Sequence, residues 1–162
     1  MSSDLPTTTA EHDSDPTALA CEAADVITRR TGAERHDIAL VLGSGWASAA
    51  DLVGDTIAEI PNTDVPGFHP AAVPGHHGTI RSVRVSGHDA RVLVFGTRTH
   101  FYEGRGVRAV VHPVRVAAAC GASTIVLTNG CGGLRPEWRP GTPVLIRDHI
   151  NLTAHSPLEG PT

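Results

Sequence analysis

The sequence predicts an α/β fold, a mixed central β-sheet flanked by helices. Short apolar runs that stop at Gly alternate with helical stretches, the pattern of parallel strands joined by crossover helices. Two β-prone runs separated by only the four residues Ser86-Gly87-His88-Asp89 add a hairpin and make the sheet mixed. At 162 residues the chain suits one domain with a workable core, and no internal repeat or interdomain linker interrupts it.

Residues Met1 to Ser14 are rich in Ser, Thr and acid with little to bury, so they are expected to form a frayed arm, with the folded domain covering 15–162. Asp15-Pro16 fits a helix cap with proline in the first turn, and Leu19, Ala23, Val26, Ile27 and Arg30 mark a helix ending near Gly32. The run Asp37 to Leu42 reads as a buried strand stopped by Gly43, and Ser44-Gly45 turns the chain towards a second helix near Trp46 to Leu52. Thr79 to Val85 and Ala90 to Phe95 form the hairpin. Gly106 to Cys120 has the content of a buried helix, which Pro113 should kink or divide. Ser123 to Thr128 again reads as a buried strand, followed by a loop from Asn129 to Gly141 and a last strand from Thr142 to about Arg147.

Composition narrows the function classes. A net charge of −4 without a basic block lacks the electrostatic footprint of a nucleic-acid or anionic-membrane partner. The longest apolar stretch, Val107 to Cys120, is interrupted by Arg108, His112, Pro113 and Arg115 and does not read as a membrane span. The acidic start, with no apolar targeting segment, points to the cytoplasm. Cys21, Cys120 and Cys131 are an odd set without CxxC spacing, so a disulfide framework is not expected, and two of them read as small core residues. The ten histidines are scattered without HExxH or paired Cys/His spacing, so no metal site and no cofactor are expected.

Three segments can carry chemistry. Gly43-Ser44-Gly45 follows a strand, where small residues let backbone N–H groups approach an anion and the Ser hydroxyl adds a donor. An ordinary strand-to-helix turn explains the same glycines. Arg98-Thr-His100-Phe-Tyr102-Glu103 is the densest polar cluster: Arg98 offers a planar fork to an oxyanion, His100 can exchange a proton, and Tyr102 suits a sugar. If extended, its alternate residues share a face. The competing reading is a solvated loop with an Arg98–Glu103 pair. Thr128-Asn-Gly-Cys-Gly-Gly133 is a Gly-rich loop after a third apolar run; a turn needing positive φ explains its glycines but not Asn129. His76, in VPGHHG, is a further candidate donor, against the plain reading of an exposed loop histidine. All three segments fall at the carboxyl ends of strands, where ligands gather in open α/β sheets.

In order and spacing, LGSGW, VPGHHG, GTRTHFYEG, HPVR, LTNGCGGLR and LIRDHINLTAHSPLEGP resemble the purine nucleoside phosphorylase family of the homotrimeric type. The resemblance implies a nucleoside phosphorylase-like fold and a phosphate site formed by Ser44, His76, Arg98 and the Gly130 N–H, with His100 near phosphate and ribose. It implies a ribose and purine pocket lined by Tyr102, Asn129, Gly130, Cys131 and Gly132. His100 and Glu103 would be the catalytic pair, with Glu103 orienting His100 or an arginine. Inorganic phosphate would be a co-substrate and purine nucleosides the partners, in a homotrimer. Gly130 and Cys131 stand where many members carry two alanines, and Thr97 where many carry Gly.

The resemblance also implies a C-terminal part beyond Thr162 that supplies the base-binding residues, so the domain is expected to be partial and poorly soluble. Two alternatives follow: methylthioadenosine phosphorylase, which shares the phosphate site, or a catalytically incompetent remnant that only binds phosphate or associates with homologues.

Overall fold

The computed structural model describes residues 15–43, 46–70 and 78–158. The expected N-terminal arm, Ser44 and His76 lie outside the described residues. A first helix, α1 (Pro16–Thr31), starts where Asp15 Oδ1 accepts the Thr17 N–H at 2.9 Å. It ends at Gly32, whose N–H still donates to the Thr28 carbonyl and whose φ of 65° turns the chain out of the helix. Its buried stripe keeps the expected Ala23 and Ile27 and adds Ala20 and Ala24, while Leu19 and Val26 are half-buried; Arg30 faces solvent and pairs with Asp64 at 2.7 Å.

Five strands follow: β1 (Ile38–Val41), β2 (Gly54–Pro61), β3 (Thr79–Val85), β4 (Arg91–Phe95) and β5 (Thr124–Leu127). They form one sheet in the order β2-β3-β4-β1-β5. β1 runs parallel to both β4 and β5, whereas β2–β3 and β3–β4 are antiparallel. The mixed sheet and the hairpin are therefore as the sequence predicted. The second expected helix is a 3-10 turn, Ala47–Leu52, and α2 (Gly106–Ala119) passes through Pro113 as one undivided helix.

The sheet's composition follows from what covers it. β4 is buried throughout, from Val92 to Phe95, because both of its faces are occupied. Leu93 and Phe95 join Ile27, Val116, Ala117 and Cys120 beneath α1 and α2, while Val92 and Val94 pack with Leu42 and Ala50 on the other face. Full burial of such side chains contributes about 1.5–3 kcal/mol each. Of the cysteines only Cys120 is buried, and burial pushes its thiol up to about 11; Cys21 and Cys131 are exposed.

Three expectations need correction. β2 was not anticipated, because its pairing with β3 shifts register between Thr56 and Ala58, and that bulge breaks the alternation a strand normally shows. β5 forms as expected but is not buried: β1 is its sole strand neighbour among the described residues, and Val126 and Leu127 face solvent. The strand expected over 142–147 is absent; the segment is irregular, with Leu145 and Ile146 exposed, and it pairs with no strand among the described residues. No helix among the described residues is long and apolar enough to cross a membrane.

Candidate functional site

Because β1, β4 and β5 are parallel, their carboxyl ends emerge together, and the three candidate segments leave the sheet at one end. The tips are stitched by short-range bonds. The Leu42 N–H donates to the Phe95 carbonyl at 2.9 Å, and the Thr128 N–H to Val41 at 3.1 Å. The Thr128 hydroxyl donates to the Val41 carbonyl at 2.9 Å and accepts the Gly43 N–H at 3.3 Å. Thr128 thus locks the first glycine of GSG to β5, a role the sequence did not disclose because the partners are 85 positions apart.

Arg98 reaches across this junction. Its Nη1 donates to the Thr128 carbonyl, and its guanidinium lies against Gly43, where an added Cβ would meet Nη2 at 3.0 Å. Its side chain is part-buried, not a solvated loop arginine paired with Glu103.

The segment after Arg98 does not stay extended. His100 has extended angles, and Phe101–Glu103 then closes a 3-10 turn. Glu103 Oε1 accepts the His100 N–H at 2.7 Å, and its other oxygen lies 3.7 Å from Arg105 Nε. Glu103 therefore holds the His100 backbone. The His100 and Tyr102 rings stack at 4.8 Å with an angle of 11°, so those two side chains do share a face, while Arg98 turns away to the strand tips. Tyr102 is 82% exposed, and Asn129, Gly130, Cys131 and Gly132 are exposed on an irregular loop.

A small cleft lies beside Arg98, lined among others by Asn62, Phe68, Thr97, Glu103 and His112. His112, the histidine of HPVR, is buried; its Nε2 lies 2.9 Å from the Pro66 carbonyl and its ring packs edge-on to Phe68 at 4.9 Å. Burial lowers its pKa, partly opposed by the Pro66 carbonyl. Gly67 carries a φ of 74°, and an added Cβ would lie 2.5 Å from His112 Nε2, so both backbone and space demand glycine there. His112 is therefore a wall of the pocket rather than a ligand group, a distinction invisible in the motif.

The family model of the phosphorylase superfamily matches residues 37–162. A purine nucleoside phosphorylase of Cellulomonas sp is 62% identical over 151 residues, covering 91% of this chain and 54% of that protein. The Mycobacterium tuberculosis purine nucleoside phosphorylase is 52% identical over 146 residues, 90% of this chain and 54% of that one. A crystal structure of Schistosoma mansoni purine nucleoside phosphorylase in complex with inosine superposes with a TM-score of 0.64 at 31% identity, covering 75% of this chain and 41% of that chain. The chain spans about half the length of the curated relatives it matches. With the family model matched over residues 37–162, the chain belongs to the phosphorylase superfamily.

Proposed function

We propose that this chain carries the phosphate-binding part of a purine nucleoside phosphorylase. Its reaction is phosphorolysis of purine ribonucleosides and deoxyribonucleosides to free base and pentose 1-phosphate, as in purine salvage. The observation that carries the reading is the bridge made by Arg98, whose guanidinium joins the tips of β1, β4 and β5 at the end of the sheet where ligands bind. The names of the close relatives support it.

A phosphate oxygen attacks the anomeric carbon as the carbon–nitrogen bond breaks and the purine leaves with the bonding pair. Positive charge grows on the sugar in the transition state, and the bound dianion beside it offsets that charge. Arg98 orients the attacking oxygen, together with Ser44, His76 and the Gly130 N–H. His100 stands between phosphate and ribose, its backbone set by Glu103. Tyr102 and the loop Asn129 to Gly132 face sugar and base. The family resemblance adds a homotrimer and a cytoplasmic setting to the proposal.

The test is direct: incubate the purified chain with inosine and inorganic phosphate and follow hypoxanthine release. Turnover supports the full reading. The exposure of Tyr102 and of the loop from Asn129 favours a second reading, a chain that binds phosphate without turning over nucleoside. Phosphate binding without hypoxanthine release selects it, and the absence of both sinks the phosphate site itself.

A further inference from the structure

We infer that Asn62 is a positioning residue for the anion site, acting through Thr97 on Arg98; the inference rests on the phosphate reading above. Asn62 sits directly after β2, in the 3-10 turn Asn62–Asp64, and is 5% exposed. Its polar groups tie three segments together. The backbone N–H donates to the Gly78 carbonyl at 2.9 Å, the backbone carbonyl accepts the Val65 N–H at 3.0 Å, and Nδ2 donates to Thr97 Oγ1 at 2.7 Å.

The junction is tight. A Cβ at Gly78 would lie 2.6 Å from both Asn62 Nδ2 and Thr97 Oγ1, so the three residues touch and only glycine fits the third place. The Gly96 N–H donates to the Thr79 carbonyl at 2.9 Å, so the chain is also held one residue before Thr97. The Thr97 hydroxyl is what Asn62 grips. Arg98 follows immediately and must place its fork on Gly43 and Thr128. A preorganised donor is worth more to an anion than a mobile one, because its ordering is completed before binding. Asn62 Oδ1 has no hydrogen-bond partner among the described residues, so within them truncation of the side chain removes the Thr97 bond and no other side-chain bond.

The experiment titrates inorganic phosphate into the 162-residue chain by calorimetry, with thermal unfolding recorded alongside. Asn62→Ala and Thr97→Val should each weaken phosphate binding about fivefold to tenfold, the scale of one lost hydrogen bond. The double variant should lose no more than either single one, and Thr97→Ser should restore the affinity. Unchanged affinity in both single variants, or losses that multiply in the double, overturns the inference, even where unfolding temperatures fall. Amide hydrogen exchange separates the two levels. If the parent chain binds no phosphate, the functional reading falls, and exchange alone judges the link. Joint acceleration at 78–80 and 97–99 in Asn62→Ala upholds the link, and acceleration at one segment or neither removes it.

Discussion

The guanidinium of Arg98 rests on the backbone of Gly43: a side-chain carbon at Gly43 would come within 3.0 Å of Nη2 and 3.2 Å of Cζ. A loop residue following β4 is thereby seated on the tip of β1 and bonded to the carbonyl of Thr128 at the tip of β5. A guanidinium carries five N–H donors, so one bond to a carbonyl fixes the fork and leaves it further donors for an anion.

Arg98→Ala should abolish measurable phosphate binding, and in a turnover assay should cost about 10²- to 10³-fold in rate, the loss typical of one oxyanion donor. Arg98→Lys should not rescue it, because a point charge cannot both hold the Thr128 carbonyl and present a planar fork. Gly43→Ala should displace the guanidinium by a few tenths of an ångström and weaken phosphate binding with little change in unfolding temperature. An unchanged phosphate affinity in Gly43→Ala would show that the seat is irrelevant.

Gly67→Ala should destabilise the fold by roughly 2 kcal/mol or more, since strain at a positive φ adds to a clash with a buried ring. His112 would have to leave the Pro66 carbonyl to make room. Urea unfolding of parent and variant measures it, and a midpoint shift near zero would contradict the packing described.

Stability should fall on the acid side. His36 is 1% exposed, its Nε2 lies 2.9 Å from Ser82 Oγ, and burial, followed by the nearby Arg91 charge, lowers its pKa from 6.5 to about 4. Between those values the unfolded chain binds a proton that the folded chain does not. The stability is therefore complete above pH 6.5 and declines as pH falls to 4, by up to about 3 kcal/mol. Asp37, held low chiefly by the Arg91 N–H, adds a loss of the same sign as pH falls below its ordinary value. Chemical denaturation across pH 4 to 7 should show the slope, and His36→Gln should flatten it; an equal slope in both proteins would assign it elsewhere.

Among the described residues β5 offers an open edge, with Val126 43% and Leu127 59% exposed, and such an edge templates pairing with another chain. The protein should therefore self-associate with rising concentration. Val126→Lys should raise the monodisperse fraction in sedimentation velocity, and a parent chain that is already a sharp monomer at high concentration would refute this.

Much of the framework was legible because its signals are local. Asp15-Pro16 and Gly32 bracket α1, since a cap and a left-handed terminus are matters of a few neighbouring residues. The β3–β4 hairpin was readable from its turn, and β1 and β4 from unbroken apolar runs. β2 was illegible because a bulge disrupts its period, and the run over 142–147 misled because apolar content alone does not bring a segment into register on a sheet edge.

The site divides along the same line. Sequence alone determined which residue types the proposed anion site draws on, and that Arg98 and His100 follow one strand and Asn129 another. Only the tertiary structure decided that Arg98 sits on Gly43, that Glu103 grips the His100 backbone, and that Asn62 reaches Thr97 from 35 positions away. The reason is physical: periodicity and capping act over one or two turns, whereas contact between strand tips depends on sheet order and register, which the folded chain as a whole sets.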